Sequence, residues 1–98
     1  MILEIADLHV VPGREAEFEA AFAQARAIIT AAPGFRALEL QRSVEEPSRY
    51  ALLVRWRTIE DHTEGFRKSP EYERWRKLLH HFYDPSPEVL HYRCIAEA

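Results

Sequence analysis

The chain has 98 residues, which is enough for one domain but not for two separate cores. Hydrophobic residues make up 47 % of it and charged residues 30 %, a balance typical of globular proteins and not of disordered ones. The net charge of −3 and the absence of a basic stripe argue against nucleic acid as a partner, and no apolar run approaches the roughly 20 residues that would span a membrane.

The first half of the chain predicts a strand, a helix and a second strand. Ile2–Val11 is rich in β-forming residues and ends at a Pro12-Gly13 turn. Arg14–Ala31 carries apolar residues at steps of three and four, which predicts an amphipathic helix. Those residues are Phe18, Ala21, Phe22, Ala25, Ile28 and Ile29. Pro33-Gly34 ends the helix, and Phe35–Ser43 is predicted to be the second strand.

The second half predicts a hairpin strand, two helices and a final strand. The third strand is Arg49–Arg57, and Thr58 is placed to cap a short helix with Asp61 as its acidic partner. Ser69, followed by a proline, starts a longer helix. The apolar face of this helix comprises Tyr72, Trp75, Leu78, Leu79 and Phe82. Glu88–Ala96 is the predicted last strand, so residues 1–98 form a single α+β domain of ferredoxin-like order β-α-β-β-α-β, with a four-stranded antiparallel sheet.

Strand alternation gives this sheet one apolar face and one mixed face. The apolar face, expected under the helices, comprises Ile2, Ala6, Leu8 and Val10 with Tyr50, Leu52, Val54 and Trp56. The open face mixes aliphatic and charged groups, namely Leu3, Ile5, Leu53, Asp7, Glu39, Arg55, Arg57 and Arg93. Packing it on a second copy would bury the aliphatic groups and pair the charges, which predicts a homodimer. The alternative is a monomer whose sheet faces water.

The proline-rich link 84–87 adds a second expectation about the partner. A stiff, extended segment of this kind can carry the last strand across to another subunit. The predicted homodimer would then involve both the open sheet face and the last strand.

A set of residues along the chain resembles a known family. These are the Pro12-Gly13-Arg14 turn, Trp56-Arg57, His62, Phe66, Ser69-Pro70-Glu71-Tyr72 and His91-Tyr92. Together they are similar to the antibiotic biosynthesis monooxygenase (ABM) domain of the dimeric α+β barrel superfamily. The resemblance implies two ferredoxin-like sheets paired into a barrel, with one pocket per subunit between sheet and helices.

The family resemblance implies several activities. Some members oxygenate anthrones or quinols without metal or flavin, some degrade haem, and many have no assigned role. The residues required for haem degradation fall here on Ala6, Phe66 and Arg76, none of which matches, so haem chemistry is not expected. The quinol-oxidising branch often has a histidine at the position of Phe66; here His62 lies one turn earlier, about 5 Å away along a helix.

The leading hypothesis is therefore a cofactor-independent monooxygenase acting on a small quinol- or anthrone-type aromatic. His62 is the candidate base, because imidazole titrates near neutral pH, with Tyr72 orienting the substrate and Trp75 stacking on it. The other expected pocket residues are Phe22, Tyr50, Trp56, Phe66 and Arg67. Each also has a purely structural interpretation: a hydrogen-bonded histidine, core aromatics and a solvated arginine.

Two other functions stay open. The same pocket could hold a small aromatic or lipid-like ligand without chemistry, in a regulatory or stress role. A structural dimer with a filled core would instead have a pocket below the roughly 300 Å³ of ordinary ligand sites.

No cofactor or metal is expected. His80 and His81 diverge by about 100° on a helix, and no carboxylate is suitably spaced near His9 or His91. Cys94 is the single cysteine, predicted to be buried in the last strand. No export segment is recognisable, which favours the cytoplasm.

Overall fold

A computed structural model describes residues 1–98 and has the predicted element order. The strands are β1 (Ile2–His9), β2 (Phe35–Arg42), β3 (Arg49–Trp56) and β4 (Glu88–Arg93). The helices are α1 (Glu15–Thr30), a π-helix (Asp61–Phe66), α2 (Pro70–Leu79) and a 3₁₀ turn (His80–Phe82). None of these helices combines the length and apolar character that crossing a bilayer requires.

The four strands form one antiparallel sheet in the order β2-β3-β1-β4. The ferredoxin-like α+β prediction is confirmed. Glu4, near the middle of β1, lies directly opposite Val54 on β3 and His91 on β4. Because opposite residues share a face of the sheet, these three side chains point to the same side. This strand register therefore places Glu4 and His91 side by side on the helix side of the sheet.

The helices begin where the sequence predicts. The Ser69 hydroxyl accepts a hydrogen bond from the Tyr72 amide at 3.2 Å, and Pro70 occupies the first position of α2. Such a cap satisfies one of the amides that a helix start leaves free. Phe22 of α1 contacts Trp75 of α2 edge-on at 5.8 Å, so the two helices pack together over one face of the sheet.

The short helix differs from an ordinary α-helix. Thr58 and Asp61 form the predicted reciprocal cap, with both amide-to-side-chain distances at 3.2 Å. The Arg67 amide then donates to the His62 carbonyl at 2.9 Å, five residues back, which is the π-helical spacing. His62 and Phe66 are both buried in this wide turn.

The face assignment of the central strands is confirmed in most positions. Ala6, Leu8 and Val10, with the four predicted residues of β3, are buried under the helices. Ile2 is only half-buried, at the start of its strand. Glu4 belongs to the same buried series and is 5 % exposed.

Two expectations about the sheet's charged residues were wrong. Arg93 lies opposite Ile2 and therefore on the helix side, not the open face. Arg57 follows the end of β3 and pairs with Asp61, with guanidinium-to-carboxylate distances of 3.1 Å. Asp7 does lie on the open face, opposite Ala51, and Arg49 of its own chain binds it at 2.8 Å.

The last strand is shorter than predicted and belongs to its own sheet. It ends at Arg93, which leaves Cys94 exposed beyond it rather than buried. It also pairs along its length with β1 of the same chain. In this single chain the strand completes its own sheet. The expectation that the link 84–87 carries it to a partner stays a prediction.

Candidate functional site

A cavity of about 420 Å³ lies between the helix side of the sheet and α2. Its apolar wall includes Leu8, Leu52, Ile29, Phe66 and Trp75. Its polar lining comprises Glu4, His62, Arg67, Tyr72, His80, Tyr83 and Ser86. The volume falls within the range of roughly 300–1,000 Å³ that small-molecule sites occupy, which disfavours the filled-core alternative.

Five of the eight residues singled out from the sequence line this cavity. They are His62, Phe66, Arg67, Tyr72 and Trp75. Phe22, Tyr50 and Trp56 do not. Their assignment to the pocket wall was wrong, because each side chain packs behind the residues that line the cavity.

The reasons differ for the three. Phe22 packs behind Trp75. Tyr50 donates its hydroxyl to the Glu19 carboxylate at 2.6 Å, on the far side of the core. Trp56 is fully buried behind His62, with ring centroids 5.2 Å apart.

His62 is held between two polar neighbours. Its Nδ1 lies 2.8 Å from His91 Nε2, a hydrogen bond in which one ring donates and the other accepts. Its Nε2 lies 3.4 Å from Glu4 Oε1. Burial lowers the pKa of His62 to about 3, helped by the positive charge of Arg67 and by His91. The imidazole is therefore neutral near pH 7, and its contact with Glu4 is not an ion pair.

Glu4 is the functional candidate that sequence reasoning missed. Trp56 Nε1–H donates to Glu4 Oε1 at 2.9 Å, the only direct hydrogen bond to this buried carboxyl. Burial raises the pKa of Glu4, while the bond from Trp56 and the charge of Arg67 act in the opposite direction. The available signal was its position: Glu4 is the one acidic residue in the alternating series that runs through Ile2, Ala6 and Leu8.

His91 completes the cluster from the edge strand. It is half-buried, and burial together with the Arg67 charge lowers its pKa. The sequence-based view that no carboxylate lies near the sheet histidines was wrong, because Asp7 lies 3.3 Å from His9 and Glu4 lies opposite His91. The groups are nevertheless arranged in a row, with Glu4 at one ring nitrogen of His62 and His91 at the other. One metal ion cannot be bound by both nitrogens of the same ring.

Arg67 is an exposed arginine that lines the cavity. No carboxylate forms an ion pair with it. Its positive charge contributes to the lowered pKa values of His62 and His91, and it opposes the larger effect of burial, which raises the pKa of Glu4. A cation without a partner at a cavity can stabilise an anionic ligand.

The two adjacent histidines after α2 point in different directions. His80 lines the cavity near Tyr72 and Tyr83, with ring centroids 6.2 and 5.5 Å away. Burial lowers its pKa, followed by the charge of Arg76. His81 is exposed and packs on Phe82 at 4.2 Å, away from the cavity lining.

Taken together, these groups suit acid–base chemistry on a flat ligand. A neutral imidazole is available to accept a proton, and an unpaired cation is available to hold the resulting anion. Trp75, Phe66 and Tyr72 supply aromatic surface for a ring. Phe66 contacts both of the others edge-on, at 5.8 and 5.5 Å.

Comparison with known proteins agrees with this architecture. Residues 1–78 match the family model described as antibiotic biosynthesis monooxygenase. The uncharacterised protein YczJ of Bacillus subtilis is 50 % identical over 93 residues, covering 95 % of this chain and 98 % of that protein.

Solved structures give the same result. A crystal structure of an antibiotic biosynthesis monooxygenase-family protein from Bordetella bronchiseptica is 43 % identical, with a TM-score of 0.93 and 97 % of each chain covered. SnoaB from Streptomyces nogalater, a cofactor-independent oxygenase solved as a mutant, has a TM-score of 0.83 over 98 % of this chain and 94 % of its own. At 19 % identity that likeness concerns the fold alone. The resemblance in the sequence is confirmed: the chain belongs to the antibiotic biosynthesis monooxygenase family.

Proposed function

We propose that this protein is a cofactor-independent monooxygenase that oxidises a small quinol- or anthrone-type aromatic in the cavity between sheet and α2. One observation carries the proposal: a buried, neutral His62 opens onto an aromatic-lined cavity of about 420 Å³ that also contains the unpaired Arg67. Base, cation and ring-shaped wall are the three features that activation of such a substrate needs.

The proposed reaction takes an activated methylene to a ketone. His62 removes one proton, and Arg67 stabilises the anion, whose charge is delocalised onto the ring oxygen. The anion gives one electron to O₂, and recombination of the two radicals forms a C–O bond. Protonation gives a hydroperoxide, which loses water to leave the ketone. Overall, CH₂ and O₂ become C=O and H₂O, so the substrate loses the four electrons that O₂ gains.

The remaining cavity residues would position the ring. Tyr72 carries a hydroxyl able to bond a substrate oxygen, while Trp75 and Phe66 offer edges and faces for stacking. Exclusion of water matters because the anion must reach O₂ before it is reprotonated.

Oxygen uptake with a panel of hydroquinones and anthrones tests the proposal. We expect turnover by the wild type and a fall in kcat on the order of 100-fold or more in His62→Gln, since positioned proton transfer contributes about 10²–10⁴. His81→Gln, an exposed histidine outside the cavity lining, is the matched control and should keep wild-type turnover. Turnover that survives unchanged in His62→Gln would refute the assignment of the base.

A second candidate is a binding module that holds a small aromatic ligand without chemistry. The observation that favours it is the pKa of His62, which at about 3 makes a weak base. Tight binding of phenolic ligands without any oxygen uptake would establish this alternative and exclude the oxygenase.

The working unit that we propose is a homodimer joined through the open sheet face. The centre of that face is apolar: Leu3, Ile5 and Leu53 are half-buried, and Leu90 and Tyr92 beside them are exposed. Leu90 and Tyr92 are 49 % and 47 % exposed in the single chain, and covering them would remove a contiguous apolar surface from water.

A further inference from the structure

The cluster of Glu4, His62 and His91 forms a continuous chain of proton-carrying groups. Glu4 Oε1 lies 3.4 Å from His62 Nε2, and His62 Nδ1 lies 2.8 Å from His91 Nε2. These contacts use both ring nitrogens of His62. When Nε2 gains a proton, Nδ1 can therefore release one to His91. No charge then has to remain on the buried ring.

This chain leads from the cavity toward the edge of the sheet. Glu4 and His62 line the cavity and are 5 % and 4 % exposed. His91 does not line it, is half-buried, and lies on β4, the outer strand of the sheet. One end of the chain therefore meets a ligand in the cavity and the other lies nearer to solvent.

The proposed oxidation requires such a path. His62 is desolvated and faces the Arg67 cation, and these effects hold its pKa near 3. A proton taken from a substrate near pH 7 is therefore unstable on this ring and must move on quickly. His91 Nε2, already in hydrogen-bond contact, is the immediate acceptor.

We propose that Glu4, His62 and His91 form a proton relay that takes the substrate's proton out of the cavity, with His91 as its outlet. The inference rests on the proposed function and deepens it. In the relay, His62 Nε2 receives the proton, His62 Nδ1–H passes its own to His91 Nε2, and His91 releases the proton of its Nδ1 to water. The reverse sequence then returns a proton to the peroxide anion, which balances the overall reaction and restores the starting tautomers. Glu4 Oε1, 3.4 Å from His62 Nε2, faces the nitrogen that receives the proton and can accept a hydrogen bond from it once that nitrogen is protonated.

His91 thus acts through His62 as a positioning and relaying residue. A purely structural His91 would only anchor the His62 ring by a hydrogen bond. Glutamine can replace that bond but cannot accept a proton on one atom and release another. The substitution His91→Gln therefore separates the two roles.

The catalytic test compares His91→Gln with the control His81→Gln in the oxygen-uptake assay. We expect kcat of His91→Gln to fall on the order of 100-fold, with KM nearly unchanged because the substrate does not contact His91. In His91→Ala, added free imidazole should restore part of kcat. Wild-type kcat in His91→Gln, or no response of His91→Ala to imidazole, would overturn the relay.

A second test does not depend on turnover. In ¹⁵N-labelled protein, the chemical shifts of the ring nitrogens report which nitrogen of each histidine carries the proton. The relay predicts that Glu4→Gln changes the tautomer of His91, since the proton positions along the chain are linked. Unchanged His91 ring shifts in Glu4→Gln would contradict it. If the wild type consumes no oxygen, the proposed function fails, while this measurement still decides the relay.

Discussion

The indole of Trp56 lies nearly parallel to the imidazole of His62, with ring centroids 5.2 Å apart and 16° between their planes. The same indole donates its Nε1–H to Glu4 at 2.9 Å. One buried side chain at the end of β3 therefore shields the candidate base from water and holds the carboxyl beside it. Since desolvation is the largest cause of the low pKa of His62, this stacking connects the core to the chemistry of the cavity.

We expect Trp56→Phe to destabilise the protein more than Trp75→Phe does. Both changes remove a similar volume from a buried indole, but only Trp56 donates a hydrogen bond to a buried carboxyl. Leaving such an acceptor without a donor costs about 1–3 kcal/mol, which is the expected difference between the two variants. Urea unfolding monitored by circular dichroism measures it. Equal losses would show that the Trp56–Glu4 bond contributes nothing to stability.

Folding stability should decrease on acidification because of His62. The pKa of its ring is about 3 in the folded protein and 6.5 ordinarily, so between these values the unfolded chain binds a proton that the folded protein does not. This contribution is complete above pH 6.5 and is lost as the pH falls toward 3. At pH 5 the loss is about 2 kcal/mol, taking 1.36 kcal/mol per pH unit.

The variant His62→Gln should flatten this dependence. Urea unfolding at pH 7 and pH 5 is expected to show a smaller loss in His62→Gln than in the wild type or in His81→Gln. Comparing the variants removes the contributions of titrating groups that do not contact His62, such as His80, whose pKa is also lowered. If His62→Gln loses as much unfolding free energy between pH 7 and pH 5 as the wild type does, groups other than His62 cause the acid sensitivity.

Replacing Arg67 should change both ligand binding and the titration of His91. In Arg67→Gln the cation that opposes protonation of His91 is absent, so the pKa of His91 should rise, as measured by NMR titration. Phenolic ligands should also bind less tightly at a pH where they are ionised, with little change where they are neutral. An unchanged affinity for the ionised form would remove Arg67 from the proposed anion site.

The proposed dimer predicts a specific effect of charge on the open face. Leu53, in the middle of β3 and opposite Ile5, lies at the centre of the apolar surface. We expect Leu53→Lys to give a monomer in light scattering at micromolar concentration, because the ammonium group would be buried without a partner. Val44→Lys is the control, since Val44 is 93 % exposed in the hairpin and outside this face. A Leu53→Lys protein that remains dimeric would exclude the open face as the interface.

Much of the architecture follows from local signals. The Ser69-Pro70 start, the Thr58–Asp61 cap and the apolar stripe of α1 are short-range features, and each is present in the structure. Alternation along β3 likewise places its residues on the two faces, because the side-chain period of a strand is two. His62 could be selected for the same reason: it lies four residues before Phe66, on the same side of a helical turn.

The wrong predictions concern residues whose placement depends on neighbouring elements of the fold. Arg93 was assigned to the wrong face because only the register with β1 fixes the phase of a short edge strand. Phe22, Tyr50 and Trp56 are aromatic and buried, as expected, but burial alone does not distinguish a cavity wall from the layer behind it.

The sequence by itself determined the element order, the helix boundaries, the buried faces of the central strands and the family, because periodicity and capping act over a few residues. Only the tertiary structure decided that Glu4, His62 and His91 meet. They lie on three elements far apart in the chain, and pairing of β1 with β4 and docking of the π-helix over the sheet bring them within 2.8 and 3.4 Å. A contact that depends on strand register and on packing across the sheet leaves no local pattern in the sequence.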